Sequence, residues 1–350
     1  MIDIISFIVV LGILVFVHEL GHFLVAKRVG VRVERFSLGF PPKMIGKKIG
    51  DTEYCISWIP LGGYVKMAGE NPEEEKERWE PWEFMGKPIW QRSLIIFAGP
   101  LMNFLLAILV FWGVIFFSGK EIVHYDKTTL GMVGKDTPAE KAGLKSGDQI
   151  LSVNGIEVEN FKDMAEIIYK EVEKPVTLKW RREEEILESE ITTFKDQIRD
   201  QEGKIKEVGK IGVSPEFTIV RLSIFQAFLE GVGITFFITL ESVKFIIGLF
   251  TGATSLKMVG GPIFIARTAG ETAKLGLASF FSFLALLSVS LSIINILPIP
   301  VLDGGHLLFL GLEKLRSKPL SLKQRAIIQQ IGLAFLLALV LYVSYNDILR

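Results

Sequence analysis

Residues 4–26 read IISFIVVLGILVFVHELGHFLVA. Residues 4–17 carry no charge and are almost all Ile, Val, Leu and Phe. Taken alone, that run suits a buried core helix. Continued through His18-Glu19-Leu20-Gly21-His22 to Ala26, it is long enough to cross roughly 30 Å of hydrocarbon as a helix. It does not read as a cleavable signal peptide, because it lacks a basic leader and a small-x-small cleavage site. Its end instead carries a polar cluster. His18 and His22, at i and i+4, share one helix face, so two imidazole nitrogens can reach one metal ion. Glu19 stands beside them, where it can serve as a base toward water activated by that metal. The plainer alternative is a pair of core histidines with an incidental Glu. Histidine is rare in this chain, four in 350 residues. Ionisable groups in a membrane helix are costly and mark functional sites.

Working outward, the composition agrees with a membrane protein. The chain has 39 Lys+Arg against 39 Asp+Glu, 49% hydrophobic residues and only 22% charged ones. That argues against an ordinary soluble enzyme and against a disordered chain. The neutral balance gives no support to nucleic-acid binding. A single cysteine, Cys55, excludes an internal disulfide framework and a Cys-rich zinc module.

The zero net charge is an average. Residues 119–221 hold 17 Lys+Arg and 21 Asp+Glu, a local net of −4, and the remainder nets +4. Charge-free runs fall at 93–119, 275–302 and 326–346. Four transmembrane helices are predicted, at about 4–26, 94–117, 277–298 and 326–345. Residues 27–92 hold 12 Lys+Arg, and the short connection 304–325 holds five. Both are expected on the cytoplasmic side, with 119–275 and the C-terminus outside. The first loop is also acidic, from Glu70 to Glu83, so the short loop weighs more. Residues 222–250 are apolar but interrupted by Glu230, Glu241 and Lys244. An amphipathic helix lying at the outer interface fits them better than a fifth span.

A catalytic zinc site needs a third protein ligand and an open position. Asp303 follows the third span in the stretch Asn295 to His306, NILPIPVLDGGH. Two prolines break the helix there, so the chain can turn a carboxylate inward. On spacing alone, Asp303 is equally a ligand or a carboxylate capping the helix exit.

These residues together resemble the site-2 protease family of intramembrane zinc metalloproteases, and within it the bacterial regulator-of-sigma-E branch. HELGH in the first span and N-x-x-P-x-P-x-L-D-G after the third carry the resemblance. So do Arg32–Phe40, Pro60–Met67, Gly99–Phe104 and Gly260–Ile263. The resemblance implies Zn2+ held by His18, His22 and Asp303, with Glu19 as catalytic base. It implies that the cytoplasmic strands, read at Val31–Phe36 and Tyr54–Ile59 with Gly62, Gly63 and Tyr64 at the turn, dip toward the membrane. There they would clamp the substrate as an added strand; a surface hairpin without substrate contact is the alternative. It also implies that Asn295 holds the unwound substrate backbone. Ser290 stands where this branch has a second Asn, which leaves the substrate grip in doubt. For Asn103 an interhelical hydrogen bond is the preferred role. His306 is expected to support the site or the fold, and His124 to lie on the surface.

Residues 121–215 resemble a circularly permuted PDZ domain, with Leu130-Gly131-Met132 as its carboxylate-binding loop. A rigid filter that binds no peptide is the other reading. The expected fold is therefore a polytopic α-helical membrane protein with four spans, a cytoplasmic membrane-dipping β-hairpin and an extracytoplasmic α+β PDZ-like domain. Its expected divisions are 1–118, 119–215, 216–275 and 276–350. The expected location is the cell inner membrane, with the zinc site toward the cytoplasm. The expected activity is hydrolysis within or near a transmembrane segment. The implied partners are the lipid bilayer and a single-span membrane protein already trimmed outside, such as an anti-sigma factor, or a remnant signal peptide. The rival class is a PDZ-bearing membrane scaffold with an inactive core.

Overall fold

The computed structural model describes residues 2–70, 78–199 and 205–349. They form two compact units, Met1–Phe117 with Ser223–Arg350, and Ser118–Leu222. In the first unit, α1 (Ile2–Arg28) buries Ser6, Val10, Leu14, His18, Gly21 and His22. That is one stripe at three- and four-residue spacing. Ile4, Ile5, Val9 and Leu24 stay exposed, as lipid-facing positions would. The sheet β1 (Val33–Ile49) and β2 (Thr52–Met67) follows, then α2 (Ile89–Ser118), which contains Pro100.

The hairpin differs from the two short strands expected. Arg35–Leu38 pair on one side with Glu53–Ile56 and on the other with Gly63–Lys66. Lys43–Ile49 fold back on Thr52–Ser57. The result is an antiparallel sheet whose outermost segment is 63–67. Strand structure runs on through Gly62-Gly63 because Gly62, at φ +149°, absorbs the change of direction.

In the second unit, β3 (Lys120–Val123), β4 (Leu130–Val133) and α3 (Pro138–Lys141) lead to β5 (Gln149–Val153) and β6 (Ile156–Glu157). Then come α4 (Phe161–Lys170), β7 (Pro175–Arg182), β8 (Glu185–Thr192), β9 (Phe194–Arg199) and β10 (Ile205–Lys210). The unit closes with β11 (Val213–Pro215) and β12 (Phe217–Val220). The main sheet has the order β6-β5-β7-β8. Its apolar face meets α4 around Leu130, Ile150, Met164, Leu178 and Trp180. Asn160 caps α4 by accepting from Asp163 N–H at 2.9 Å. The compact unit extends past 215 because β12 pairs with β3.

The chain returns to the first unit as α5 (Ile224–Thr251), α6 (Pro262–Leu275), α7 (Leu277–Ile296), α8 (Asp303–Arg316) and α9 (Leu322–Leu349). Among the described residues, five helices are long and apolar enough to cross a membrane: α1, α2, α5, α7 and α9. The sequence reading treated α5 as an interfacial segment. It is a continuous 28-residue helix, and its charges are too sparse to lower its hydropathy below that of a span. α5 begins where Trp112 Nε1 donates to Ile224 O at 3.0 Å. The chain just after it is tied to the last turn of α9, where Asn346 Nδ2 donates to Lys257 O at 2.8 Å.

α7 runs antiparallel to α2. Ser288 Oγ donates to Asn103 O at 2.7 Å and Ser292 Oγ to Pro100 O at 2.8 Å. α7 stops at Ile296, before Pro298 and Pro300, and the first turn of α8 folds back over its end. Gly304 and Gly305 permit this, because a Cβ on either would enter the carbonyls of Ile296, Leu297 or Ile299.

Candidate metal centre

α1 delivers His18 and His22, and the first turn of α8 delivers Asp303. Their ligand atoms lie within 4.8 Å of one another. His18 Nε2 is 3.1 Å from His22 Nε2 and 3.1 Å from Asp303 Oδ2, and His22 Nε2 is 3.6 Å from Asp303 Oδ1. A tetrahedral zinc with bonds of about 2.0–2.1 Å spaces its ligands about 3.3 Å apart, so the donor set fits. Asp303 Oδ2 is buried and has no hydrogen-bond partner, as expected of an oxygen reserved for a cation.

The remaining ring nitrogens are held from behind. His22 Nδ1 donates to Ile95 O at 2.8 Å, which leaves Nε2 free to ligate. His18 Nδ1 lies 3.5 Å from the Asn103 amide nitrogen and 3.4 Å from that of Asn295. With Nε2 on the metal, Nδ1 carries the proton and needs an acceptor. Asn103 Oδ1 is buried without a partner. Reversing the Asn103 amide, a choice between near-identical atoms, brings that oxygen to His18 as its acceptor. Asn103 thus makes the interhelical contact expected of it, and its partner is His18 of the candidate site. An amide in an apolar span facing HELGH was the available signal.

Glu19 Oε2 accepts from Val65 N–H at 3.0 Å, on the edge segment 63–67. Gly63 packs so closely that an added Cβ would meet Ser37 O at 2.6 Å and Glu19 Cγ at 3.8 Å. Gly62 packs on Phe40 and Val15. The Tyr64 hydroxyl accepts from Arg35 Nη1 at 3.1 Å. A cavity of about 640 Å³ joins the triad to Glu19, Tyr64, Val65 and Asn295. It also reaches Glu70, whose carboxyl burial pushes up to about 7. Glu70 accepts from Met67 N–H at 3.4 Å. In the sequence it was hidden at the start of an acidic run, of which residues 71–77 lie outside the described residues. His306, one turn beyond Asp303, lines the cavity without joining the triad, and burial lowers its pKa.

Other expected positions lie apart from this cluster. Ser290 Oγ donates within its own helix, to Leu286 O at 3.0 Å. His124 bonds to Thr218 Oγ1 at 3.0 Å. Leu130-Gly131-Met132 forms strand β4 rather than an open loop. Leu130 N–H donates to Asp148 O and Met132 N–H to Ser214 Oγ, each at 2.8 Å. A Cβ on Gly131 would enter Pro215 O. The Leu130 and Met132 donors are therefore engaged within the unit.

Comparison with known proteins adds the following. The profile of peptidase family M50 matches residues 6–339. A putative zinc metalloprotease of Rhizobium meliloti (strain 1021) is 35% identical, over 98% of this chain and 95% of its own. The regulator of sigma-W protease RasP of Bacillus subtilis is 32% identical, over 99% and 98%. The regulator of sigma E protease of Haemophilus influenzae is 33% identical, over 99% and 98%. A solved PDZ domain of an SdrC-like protein from Listeria monocytogenes aligns with 27% of this chain and 92% of its own, at 21% identity and a TM-score of 0.21. That score carries no argument.

Proposed function

Because the chain belongs to peptidase family M50 and is a zinc metalloprotease of the membrane, we propose that His18, His22 and Asp303 hold its zinc and that Glu19 is its general base. The bond it hydrolyses lies within or near a transmembrane segment of a membrane protein. The observation that carries this reading is the convergence of three donor atoms within 4.8 Å beside the Glu19 carboxylate. Bound zinc supplies Lewis acidity toward water and the scissile carbonyl. Glu19 takes a proton from the attacking water and passes it to the leaving amine. The Val65 N–H holds one Glu19 oxygen in place, which leaves the other free for proton transfer. Ile95 O and the Asn103 amide fix the two imidazoles so that neither ring has to reorient during the reaction.

A helical peptide bond is shielded by its own hydrogen bonds and must unwind before attack. The outer edge of segment 63–67 would pair with the freed substrate backbone. Gly62 and Gly63 keep that edge close to Glu19, Tyr64 forms the wall, and Asn295 contacts the opposite side. The membrane core would have four spans, α1, α2, α7 and α9, with α5 lying at the outer interface. The Lys/Arg excess in 27–92 and 304–325 supports a cytoplasmic position for both and for the zinc site. Unit 118–222 would then be an extracytoplasmic PDZ-like domain. Its closed β4 segment favours a filter over a peptide-binding loop. The substrate would be a single-span membrane protein trimmed outside, such as an anti-sigma factor, or a remnant signal peptide. The two relatives named as regulators of sigma-W and sigma-E support the former.

The test is Glu19→Gln. The variant should keep zinc and lose cleavage of a single-span reporter; equal cleavage by variant and wild type refutes the proposal. Asp303→Asn should lower the zinc content of the purified protein. Lys145→Cys, in a chain where Cys55 is replaced by Ser, should be labelled from outside intact cells.

A further inference from the structure

The catalytic cavity has a second polar wall, built from α8, α9 and the start of α2, that the peptidase chemistry leaves unused. At its base, Arg92 holds Glu313 through two hydrogen bonds, Nη1 to Oε2 at 3.0 Å and Nη2 to Oε1 at 2.5 Å. Both carboxylate oxygens are thereby engaged, and the Arg92 side chain is only 5% exposed. A second guanidinium, Arg325, stands beside this closed pair. Its Nη2 lies 3.9 Å from Glu313 Oε2, beyond hydrogen-bond reach. Among the described residues its Nη1 meets only the Met85 sulfur, at 3.9 Å. Its Nε is buried and has no partner among the described residues.

Charge and hydrogen bonds therefore give one result. Among the described residues, two guanidiniums face the Glu313 carboxylate, and the donors left without a hydrogen bond belong to Arg325. A guanidinium kept largely from water without a hydrogen-bonded anion is costly, and its fork of N–H groups fits a carboxylate in two-point contact. Both Arg325 and Gln329 line the cavity that contains the metal triad. They are i and i+4 on α9, so they share one face. The carboxylates of Glu19 and Glu70 line the same cavity, and each already accepts from an N–H of the edge segment.

We propose that Arg325, assisted by the Gln329 amide, is a carboxylate-recognition site within the peptidase cavity. The anion comes from the substrate, either as an Asp or Glu side chain within a few residues of the scissile bond or as the carboxylate that hydrolysis creates. The proposal rests on the peptidase reading above. It adds a specificity element to the cavity that the edge strand also lines.

The experiment uses the full-length protein in detergent or liposomes and single-span reporters in matched pairs, Asp against Asn and Glu against Gln, scanned across the residues flanking the scissile bond. The wild type should prefer the acidic member at one position by about tenfold in kcat/KM, the worth of a charge-assisted hydrogen bond. Arg325→Gln should bring that ratio to near one, and Arg325→Lys should keep part of it. Each ratio compares two substrates on one enzyme, so a partly folded variant does not distort it. If the created carboxylate is the ligand, the acidic preference is absent, but the amino-terminal product inhibits wild type several-fold more strongly than Arg325→Gln does. Its C-terminal amide then inhibits both equally. Wild-type cleavage with neither acidic preference nor Arg325-dependent product inhibition overturns the proposal and leaves the peptidase intact. Failure of the wild type to cleave any reporter overturns the peptidase reading instead.

Discussion

Gly99 is the position where one methyl group tests the metal centre most sharply. It lies in α2, outside the ligand set, and carries no chemistry of its own. A Cβ built there would lie 2.5 Å from His22 Cε1 and 2.7 Å from His18 Cε1, and closer still to His22 Nε2. Cβ contacts under 3.0 Å are essentially never found, and ordinary contact begins near 3.4 Å. The rings, or α2 itself, must therefore give way by between about half and one ångström, while metal sites tolerate ligand displacements of only about 0.2 Å. Neither side yields easily. His22 is anchored to Ile95 O, His18 packs against two asparagines, and α2 is pinned by Ser288 and Ser292 through Asn103 O and Pro100 O. Gly99→Ala should weaken zinc binding by about 10- to 100-fold, the range seen when support behind a ligand is lost. Cleavage should fall in parallel while the protein stays folded, because the helix itself gains from Ala. The assay is zinc per chain by mass spectrometry after dialysis against a graded chelator, with the thermal unfolding profile alongside. Retention of zinc at the wild-type chelator midpoint, with normal cleavage, would refute the geometry derived for the centre.

Three further outcomes follow from groups away from the metal. Asp347, 2% exposed, accepts from Gly261 N–H at 3.0 Å and Phe264 N–H at 2.9 Å, and so caps α6 from another helix. Asp347→Ala should cost about 2 kcal/mol or more, read as a fall in unfolding temperature, and Asp347→Asn should cost less. In the second unit Asp148 is 1% exposed and bound by Arg182 at 2.8 and 2.7 Å. Arg182→Ala leaves a buried carboxylate with only the Lys145 N–H and should destabilise 118–222 by about 3 kcal/mol, visible as faster amide exchange confined to that unit. Glu70 is pushed from an ordinary 4.5 to about 7 by burial, so the folded state binds its proton more tightly than the unfolded state does. Its contribution is fully present below pH 4.5 and is lost as pH rises through 7. Glu70→Gln should therefore raise the unfolding temperature relative to wild type at pH 8 more than at pH 5; an equal difference at both would contradict the burial.

How much was legible in the sequence depended on distance along the chain. His18, Glu19 and His22 lie within five positions, and helical periodicity alone puts both imidazoles on one face. Asp303 cannot be found that way. Nothing local distinguishes a ligand from a helix-exit cap, and only resemblance supplied it before the fold brought α8 back over α7. Asn103 was visible as a polar residue in an apolar run. Its role depends on the rotation of α2 that turns it toward His18, which composition does not encode. The course of segment 63–67 was obscured because Gly62-Gly63 reads as a turn. Strand pairing here continues through glycine, with the close approach to Ser37 and Glu19 that a side chain would forbid.

Contacts within the first unit support the proposal of four spans over five. Val10 and Leu14 of α1 pack with Leu284, and His18 lies against Asn295, so α1 and α7 run in the same direction toward the metal level. α2 runs away from that level, as its contacts with Ser288 and Ser292 require. The chain thus leaves α2 at the end of the bundle remote from the metal and enters α7 at that same end. Between them it must cross the bilayer an even number of times or not at all. α5 alone would be an odd crossing, and α6, at 14 residues, is about 21 Å long and too short to provide a second. Trp112, where α5 begins, lies roughly 20 Å along α2 from Gly99 and the histidines. Asn346, which holds the chain just after α5, lies about as far along α9 from Gly332, where that helix packs on Pro300. Both ends of α5 therefore belong to one side of the bundle. A single crossing there would separate Asp303 from His18 and His22 by roughly a bilayer's thickness, so the 3.1 Å contact between His18 and Asp303 supports the proposal of four spans. In the proposed four-span arrangement the apolar residues of α5 pack on α2 and α7, where Ile234 and Ile238 meet the cluster of Ala107, Phe111, Ala285 and Val289 and the Phe236 ring meets Phe104.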